Sequence, residues 1–295
     1  MGKGFWVLAA LAALTVASVP ANAGFSVGVK GVYDSNVNDT AADEEGDFET
    51  NLYLAYEKDA TGEAAFEWTF GAETGADLYA AKSELNDFYA EITPGFTYLP
   101  LGGLHLFLQA PAGGSTTKDS SGSYWDAGVR AGASEDFRGG LALTEYAGYR
   151  QTWAKESSDS EKRVYFGIGA AHPLPMECWA EITVEYGLVR SEGQDTLAGL
   201  GGAASASPSV ARMTAGDVRE GREGRAGSQT GTAKASSGEE GGAKWRGDFG
   251  LSVSAGYAPK ESSFSYFASY YYGQTPDEGS QAVSHVVSAG VEYSF

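Results

Sequence analysis

Three histidines, His105, His172 and His285, mark the places where this sequence could do acid–base or nucleophilic chemistry. A hydrolase or acyl transferase needs an imidazole within reach of a hydroxyl and a carboxylate. Read with the two-residue period of strands, His105 and His172 fall at the ends of their segments on one side of the sheet. His285 falls near the opposite end of the last segment and faces outward, so the three cannot share a site. Ser284 adjoins His285, but successive strand residues point to opposite faces and Ser284 cannot readily serve as its nucleophile. No enzyme activity is expected. Cys178 is the only cysteine, which rules out an internal disulfide. The acidic run DSNVNDTAADEEGD lacks the spacing of a calcium-binding loop. Neither a metal centre nor a cofactor is implied.

The second set of candidates is ionic. On the face opposite the apolar side chains, alternation places Glu49, Glu57, Glu63, Glu67, Glu73, Glu91, Asp126, Glu181, Glu185, Asp248 and Glu292. Lys30, Arg130, Arg150, Arg190 and Arg246 share that face. Unpaired charges taken out of water cost several kcal/mol each, so such a face must be wet or ion-paired. The carboxylates concentrate on the second to fourth segments, whereas Arg150, Arg190 and Arg246 stand near the far ends of the seventh, ninth and tenth. Walls of opposite sign set a field across the space between them.

The elements that carry these residues are strands. FSVGVKGVY sets Phe25, Val27, Val29 and Tyr33 against Ser26, Gly28 and Lys30, and FETNLYLAYE sets Phe48, Leu52 and Leu54 against Glu49, Asn51 and Tyr53. About twelve such segments recur, near residues 25–33, 48–57, 63–73, 88–98, 104–112, 124–133, 141–150, 163–171, 178–189, 248–258, 264–272 and 283–295. The segment from Leu141 is irregular, because the parity that turns Leu143 and Ala147 outward also turns Glu145 outward, and a bulge or shifted register is expected there. Connections alternate between short (KDATG, LPLGG, SEDFRGG, HPLPME) and long (DSNVNDTAADEEGD, ETGADLYAAKSELN, QTWAKESSDSEK, GQTPDEGSQ). With 13% aromatic residues and 41 glycines, the composition suits neither a disordered nor a helical chain.

The beginning of the chain reads as an export signal: Lys3, an apolar stretch from Phe5 to Val19, and Ala21-Asn22-Ala23 as the cleavage site, so residues 1–23 are removed. No later run approaches the ~20 apolar residues of a spanning helix. An exported chain with a continuous apolar face on every strand can cross a membrane only as a closed barrel. The outward aromatics then form two girdles. Tyr56, Tyr98, Tyr257, Phe264, Tyr293 and Phe295 lie at the short-turn ends, and Tyr33, Phe48, Phe88, Trp125, Tyr149, Tyr186, Phe249 and Tyr272 at the long-loop ends. Residues 191–244 are dominated by small side chains and read as a long low-complexity extracellular loop. Its REGREGRAG portion has no aromatic residues to stack on bases, and the chain carries a net charge of -19, so nucleic acid is not an expected partner.

The last residues, Val291-Glu292-Tyr293-Ser294-Phe295, resemble the C-terminal signal of Gram-negative outer-membrane β-barrels, with Val291, Tyr293 and Phe295 as its alternating apolar positions. That resemblance implies insertion by the barrel-assembly machinery and an outer-membrane location. Tyr33-Asp34-Ser35-Asn36-Val37 resembles a motif at the first strand of several barrel families, among them the barrels of surface-lipoprotein assembly modulators, whose helical-repeat domain has no counterpart in these residues.

The sequence therefore predicts an all-β protein: a transmembrane, antiparallel, up-and-down β-barrel of about twelve strands spanning residues 24–295. The expected function is a porin-like channel for passive diffusion of small hydrophilic solutes or cations. Its lining would be Glu49, Glu63, Glu67, Glu73, Glu91, Asp126, Arg130, Arg150, Glu181, Glu185, Arg190, Arg246 and Asp248. Outer-membrane lipid and lipopolysaccharide are the expected surroundings. The alternative is a structural barrel with a closed lumen whose loops bind a partner.

Overall fold

A computed structural model of the chain describes residues 23–36, 46–101, 103–117, 123–155, 160–191, 245–260, 262–277 and 280–295. The strands are β1 (Ala23–Asp34), β2 (Asp47–Lys58), β3 (Phe66–Tyr79), β4 (Asp87–Leu101), β5 (Leu104–Gln109), β6 (Ala112–Thr117), β7 (Tyr124–Asp136), β8 (Ala142–Ala154), β9 (Glu161–Leu174), β10 (Cys178–Ser191), β11 (Arg246–Tyr257), β12 (Phe264–Asp277) and β13 (Ser280–Ser294). Strands that follow one another in sequence pair antiparallel, except that β5 and β6 both lie between β4 and β7, and β1 also pairs with β13, so the sheet closes on itself. β5 and β6 are two halves of one stave, interrupted at Ala110-Pro111. Proline donates no ladder hydrogen bond. The gap is bridged by Ala110 N–H to the Pro94 carbonyl at 2.9 Å and by Gly128 N–H to the Pro111 carbonyl at 2.8 Å. The barrel thus has twelve staves, as the sequence pattern predicts.

At the seam, Val29 lies opposite Val291 and Lys30 opposite Gly290. Ser35 N–H donates to the His285 carbonyl and Phe295 N–H to the Phe25 carbonyl, each at 3.0 Å, and these bonds tie both ends of the junction.

The outer surface inverts the usual arrangement of a water-soluble protein. Trp68 is 71% exposed and Ile168 52% exposed, whereas Lys30, Glu49, Asp126 and Glu185 are buried on the inner side. Near the short-turn ends, outward rings cluster in pairs: Phe66 with Tyr98 at 4.4 Å, Phe25 with Tyr56 at 4.9 Å, and Phe264 with Tyr293 at 5.0 Å between centroids. A second set, Phe166 with Tyr186 and Phe249 with Tyr272, lies toward the other end. An apolar band between two aromatic belts is the surface a bilayer requires.

Two local expectations are corrected. The segment around Glu145 carries no bulge. β8 pairs residue by residue with β7 from Ala142 to Ala154 and with β9 from Ala142 to Thr152, so Glu145 faces outward, between Ala133 and Ile168. The irregularity falls instead between Tyr98 and Leu101, beside Pro100. Most staves are also longer than the sequence reading made them. β3 runs on through Asp77 to Tyr79, and β12 and β13 continue as a ladder to Asp277 opposite Ser280. On β3 the residues read as loop are strand, because Asp77 and Tyr79 are buried on the inner side, where polar groups are accommodated. The proposed signal segment lies outside the described residues except for Ala23, and so does the loop except for Ser191 at the end of β10.

Candidate pore lining

Seen from inside, the wall divides into sectors. On β1 to β4 the inward positions carry Asp34, Asp47, Glu49, Glu57, Glu73, Asp77, Asp87 and Glu91, with Lys30 as the only cation of that inner face among the described residues. Here phenols and amides hold the carboxylates. Tyr79 donates to Glu49 at 2.8 Å, Tyr89 to Glu73 at 2.9 Å, and Asn51 to Asp77 and, at 3.0 Å, to the Tyr89 hydroxyl. Tyr53 extends the pattern to β13, donating to Glu292 at 2.8 Å.

On β7 to β11, arginines take the place of the phenols. Arg163 binds Glu185 at 2.7 Å and Asp248 at 2.6 Å, and Tyr146 also donates to Glu185 at 2.8 Å. Arg150 binds Asp126 at 2.7 Å and approaches Glu91 to 3.8 Å. Arg130 donates to Gln109 at 3.0 Å and lies over the Tyr146 ring at 5.4 Å. Such charge-assisted bonds are roughly twice as strong as neutral ones. The contacts named here join staves at most three apart. They run along the wall and do not span the bore.

Glycines keep the inner rings flat. A Cβ on Gly28 would stand 2.2 Å from the Tyr53 ring, one on Gly167 2.3 Å from Tyr146, and one on Gly256 2.4 Å from Trp179. Gly75 with Tyr89, Gly148 with Tyr165, and Gly290 with Phe267 repeat the arrangement. In each case the ring lies over a glycine directly opposite it on the adjacent stave. Without that hollow the ring would have to turn into the lumen.

Most sequence-derived candidates have inward parity: Glu49, Glu73, Glu91, Asp126, Arg130, Arg150, Glu181, Glu185, Arg246 and Asp248. Glu63 and Arg190 depart from it, and Glu67 keeps it while its side chain turns away. Glu63 stands exposed in the turn before β3 rather than on a stave. Glu67 begins β3 but folds onto that turn, accepting from the Thr61 hydroxyl at 2.9 Å and Ala64 N–H at 3.0 Å. Arg190 shares the outward parity of Tyr186 and Leu188 and lies opposite Lys162, so it does not face the lumen. Counting by twos from inward Glu185 leads to Val189 and Ser191, which is the physical reason.

Arg163 escaped the sequence reading, although its parity relative to outward Val164, Phe166 and Ile168 could have revealed it. Another cluster also went unread. His105 faces inward opposite Ser134, with Nε2 3.5 Å from Asp136, and Thr144 donates to the Ser134 hydroxyl at 3.0 Å. The other histidines sit on different staves. His285 Nδ1 shares a hydrogen bond of 2.9 Å with the Tyr270 hydroxyl, while Ser284 points inward and donates to Asp34 at 2.7 Å. Among the described residues no group of three metal-binding side chains converges.

No protein-family model and no curated protein matches the chain. Among solved structures it is similar to the NanC porin, at 9% identity and a TM-score of 0.49 over 90% of this chain and 98% of that one. It is also similar to the KdgM porin, at 10% identity and 0.44 over 92% and 99%, and to LpxR from Salmonella typhimurium, at 8% and 0.45 over 91% and 99%. Its own geometry, a closed ring of twelve antiparallel staves with an apolar outside and a polar inside, is that of a porin-like outer-membrane β-barrel.

Proposed function

We propose that this barrel is an outer-membrane channel through which small hydrophilic solutes, cations in preference to anions, diffuse passively. One observation carries the reading: the lumenal ion pairs and hydrogen bonds follow the circumference, with inner rings folded into glycine hollows, an arrangement suited to lining a bore. Twelve staves give a bore between that of filled eight-stranded barrels and wide sixteen-stranded porins. The acid-rich sector on β1 to β4 faces the arginine sector, and a solute in transit experiences the field between them. Selectivity comes from carboxylates that are partly solvated, chiefly Glu73, which accepts from the Tyr89 phenol, and Glu91, 3.8 Å from Arg150.

The two aromatic belts suit outer-membrane lipid, with lipopolysaccharide around the long-loop end. Val291, Tyr293 and Phe295 serve as the signal for the barrel-assembly machinery. Planar-bilayer recording of the refolded protein tests the channel. Steady unit conductance is expected, with a cation-selective reversal potential under a salt gradient that falls toward zero in Glu73→Gln/Glu91→Gln. A correctly folded barrel that passes no current would sink the proposal and favour an anchor for the loops.

A further inference from the structure

Glu145 is an anomaly on the outer surface. Both ladders of β8 fix it outward, its neighbours across the strands are Ala133 and Ile168, and it is exposed. It stands three residues from the short-turn end of β8, which at a tilt of about 40° is ~8 Å along the barrel axis. Around it lies a bay of about 500 Å³, with Ala131, Ala133 and Ala147 as its shallow floor and Leu106, Phe166 and Ile168 as its taller rim. Glu135, also outward, lies lower on β7 opposite Leu143, so the short-turn end of this face carries two carboxylates.

A carboxylate facing lipid is unfavourable unless a cation or hydrogen-bond donor meets it. None of the side chains lining the bay is basic. The occupant must supply positive charge at the height of Glu145 and apolar bulk above it, toward Ala147 and Phe166. We propose that this bay holds one glycerophospholipid with a primary-amine headgroup, its ammonium between Glu135 and Glu145 and one acyl chain lying over the alanine floor. The inference rests on the transmembrane reading but not on conduction, because the bay is on the opposite side of the wall from the lumen.

Native mass spectrometry of the refolded barrel in detergent tests it, with phosphatidylethanolamine and phosphatidylglycerol of identical chains offered at equal concentration. The expected result is a preference of about tenfold or more for the amine lipid, equivalent to ~1.4 kcal/mol. Glu145→Gln should bring the two lipids to near parity. Ala147→Phe, which fills the bay and keeps the charge, should lower retention of both. Equal retention of the two lipids by the unaltered protein, or an unchanged preference in Glu145→Gln, overturns the proposal. So does a lipid-free dimer, which would mean that a second copy covers the bay. Conductance of Glu145→Gln, measured in parallel, should match the unaltered protein, so failure of this site is distinguishable from failure of the channel.

Discussion

The two sides of the lumen solve one problem, holding carboxylates inside a membrane barrel, by different chemistry. On β1 to β4 the acids accept from neutral donors, as Glu49 does from Tyr79 and Glu73 from Tyr89. On β7 to β11 they are matched by guanidinium groups, with Arg163 serving both Glu185 and Asp248. A phenol satisfies a lone pair but leaves the negative charge in place, whereas an arginine cancels it. The first wall can therefore act on a passing ion, and the second chiefly holds its staves together.

Removing the cation from the second wall should do the most damage. Arg163→Met leaves Glu185 and Asp248 without their guanidinium, and breaking a buried pair in this way costs about 3–5 kcal/mol. The expected outcome is a clear fall in the urea midpoint of the folded barrel in bilayers. If the midpoint stays put, the arginine wall is not structural and the contrast fails. Filling a glycine hollow should come next. Gly28→Ala drives the Tyr53 ring off the wall, with an overpacking cost of about 1–3 kcal/mol. Unit conductance should also drop, and adding Tyr53→Ser should restore it if the ring is the obstruction.

Glu49→Gln on the first wall removes charge but keeps an acceptor for Tyr79. Its cost should be near that of one neutral hydrogen bond, about 0.5–1.5 kcal/mol, well below that of Arg163→Met in the same unfolding assay. The smallest effect expected is that of salt. Raising ionic strength from 0.1 to 1 M shortens the screening length from about 10 to about 3 Å, so cation preference should fade while unfolding midpoints barely move. Selectivity that persists unchanged at 1 M would point to a steric filter and against the acid-rich wall.

The strand pattern made the ring of staves legible, because period-two alternation survives wherever one face meets lipid. Glu145 shows the limit of that rule. It breaks the apolar pattern while its backbone stays regular, so a bulge was inferred where the anomaly is chemical. Asp77 was hidden for the opposite reason: a polar stretch at the end of a stave looks like loop until its partner Asn51 is seen. The division of labour between the walls could not be read, since parity says that Arg150 and Arg163 face inward but not which acids they reach. Nor could the glycine hollows, which depend on register between staves.

The seam between β1 and β13 has a consequence in time. Ser284 bonds to Asp34 across 250 positions of sequence, and the neighbouring bonds close the ring there. Every other junction joins staves that are close in sequence, but the second edge of β1 must meet a stave from the opposite end of the chain. Until then the sheet has two open edges, each a template for joining another chain. Bringing them together carries the loop-closure cost of nearly the whole sequence. A chain interrupted before residue 280 is therefore not a smaller pore but an unfinished ring with two adhesive ends, and closure is the step that separates a usable product from an aggregation hazard.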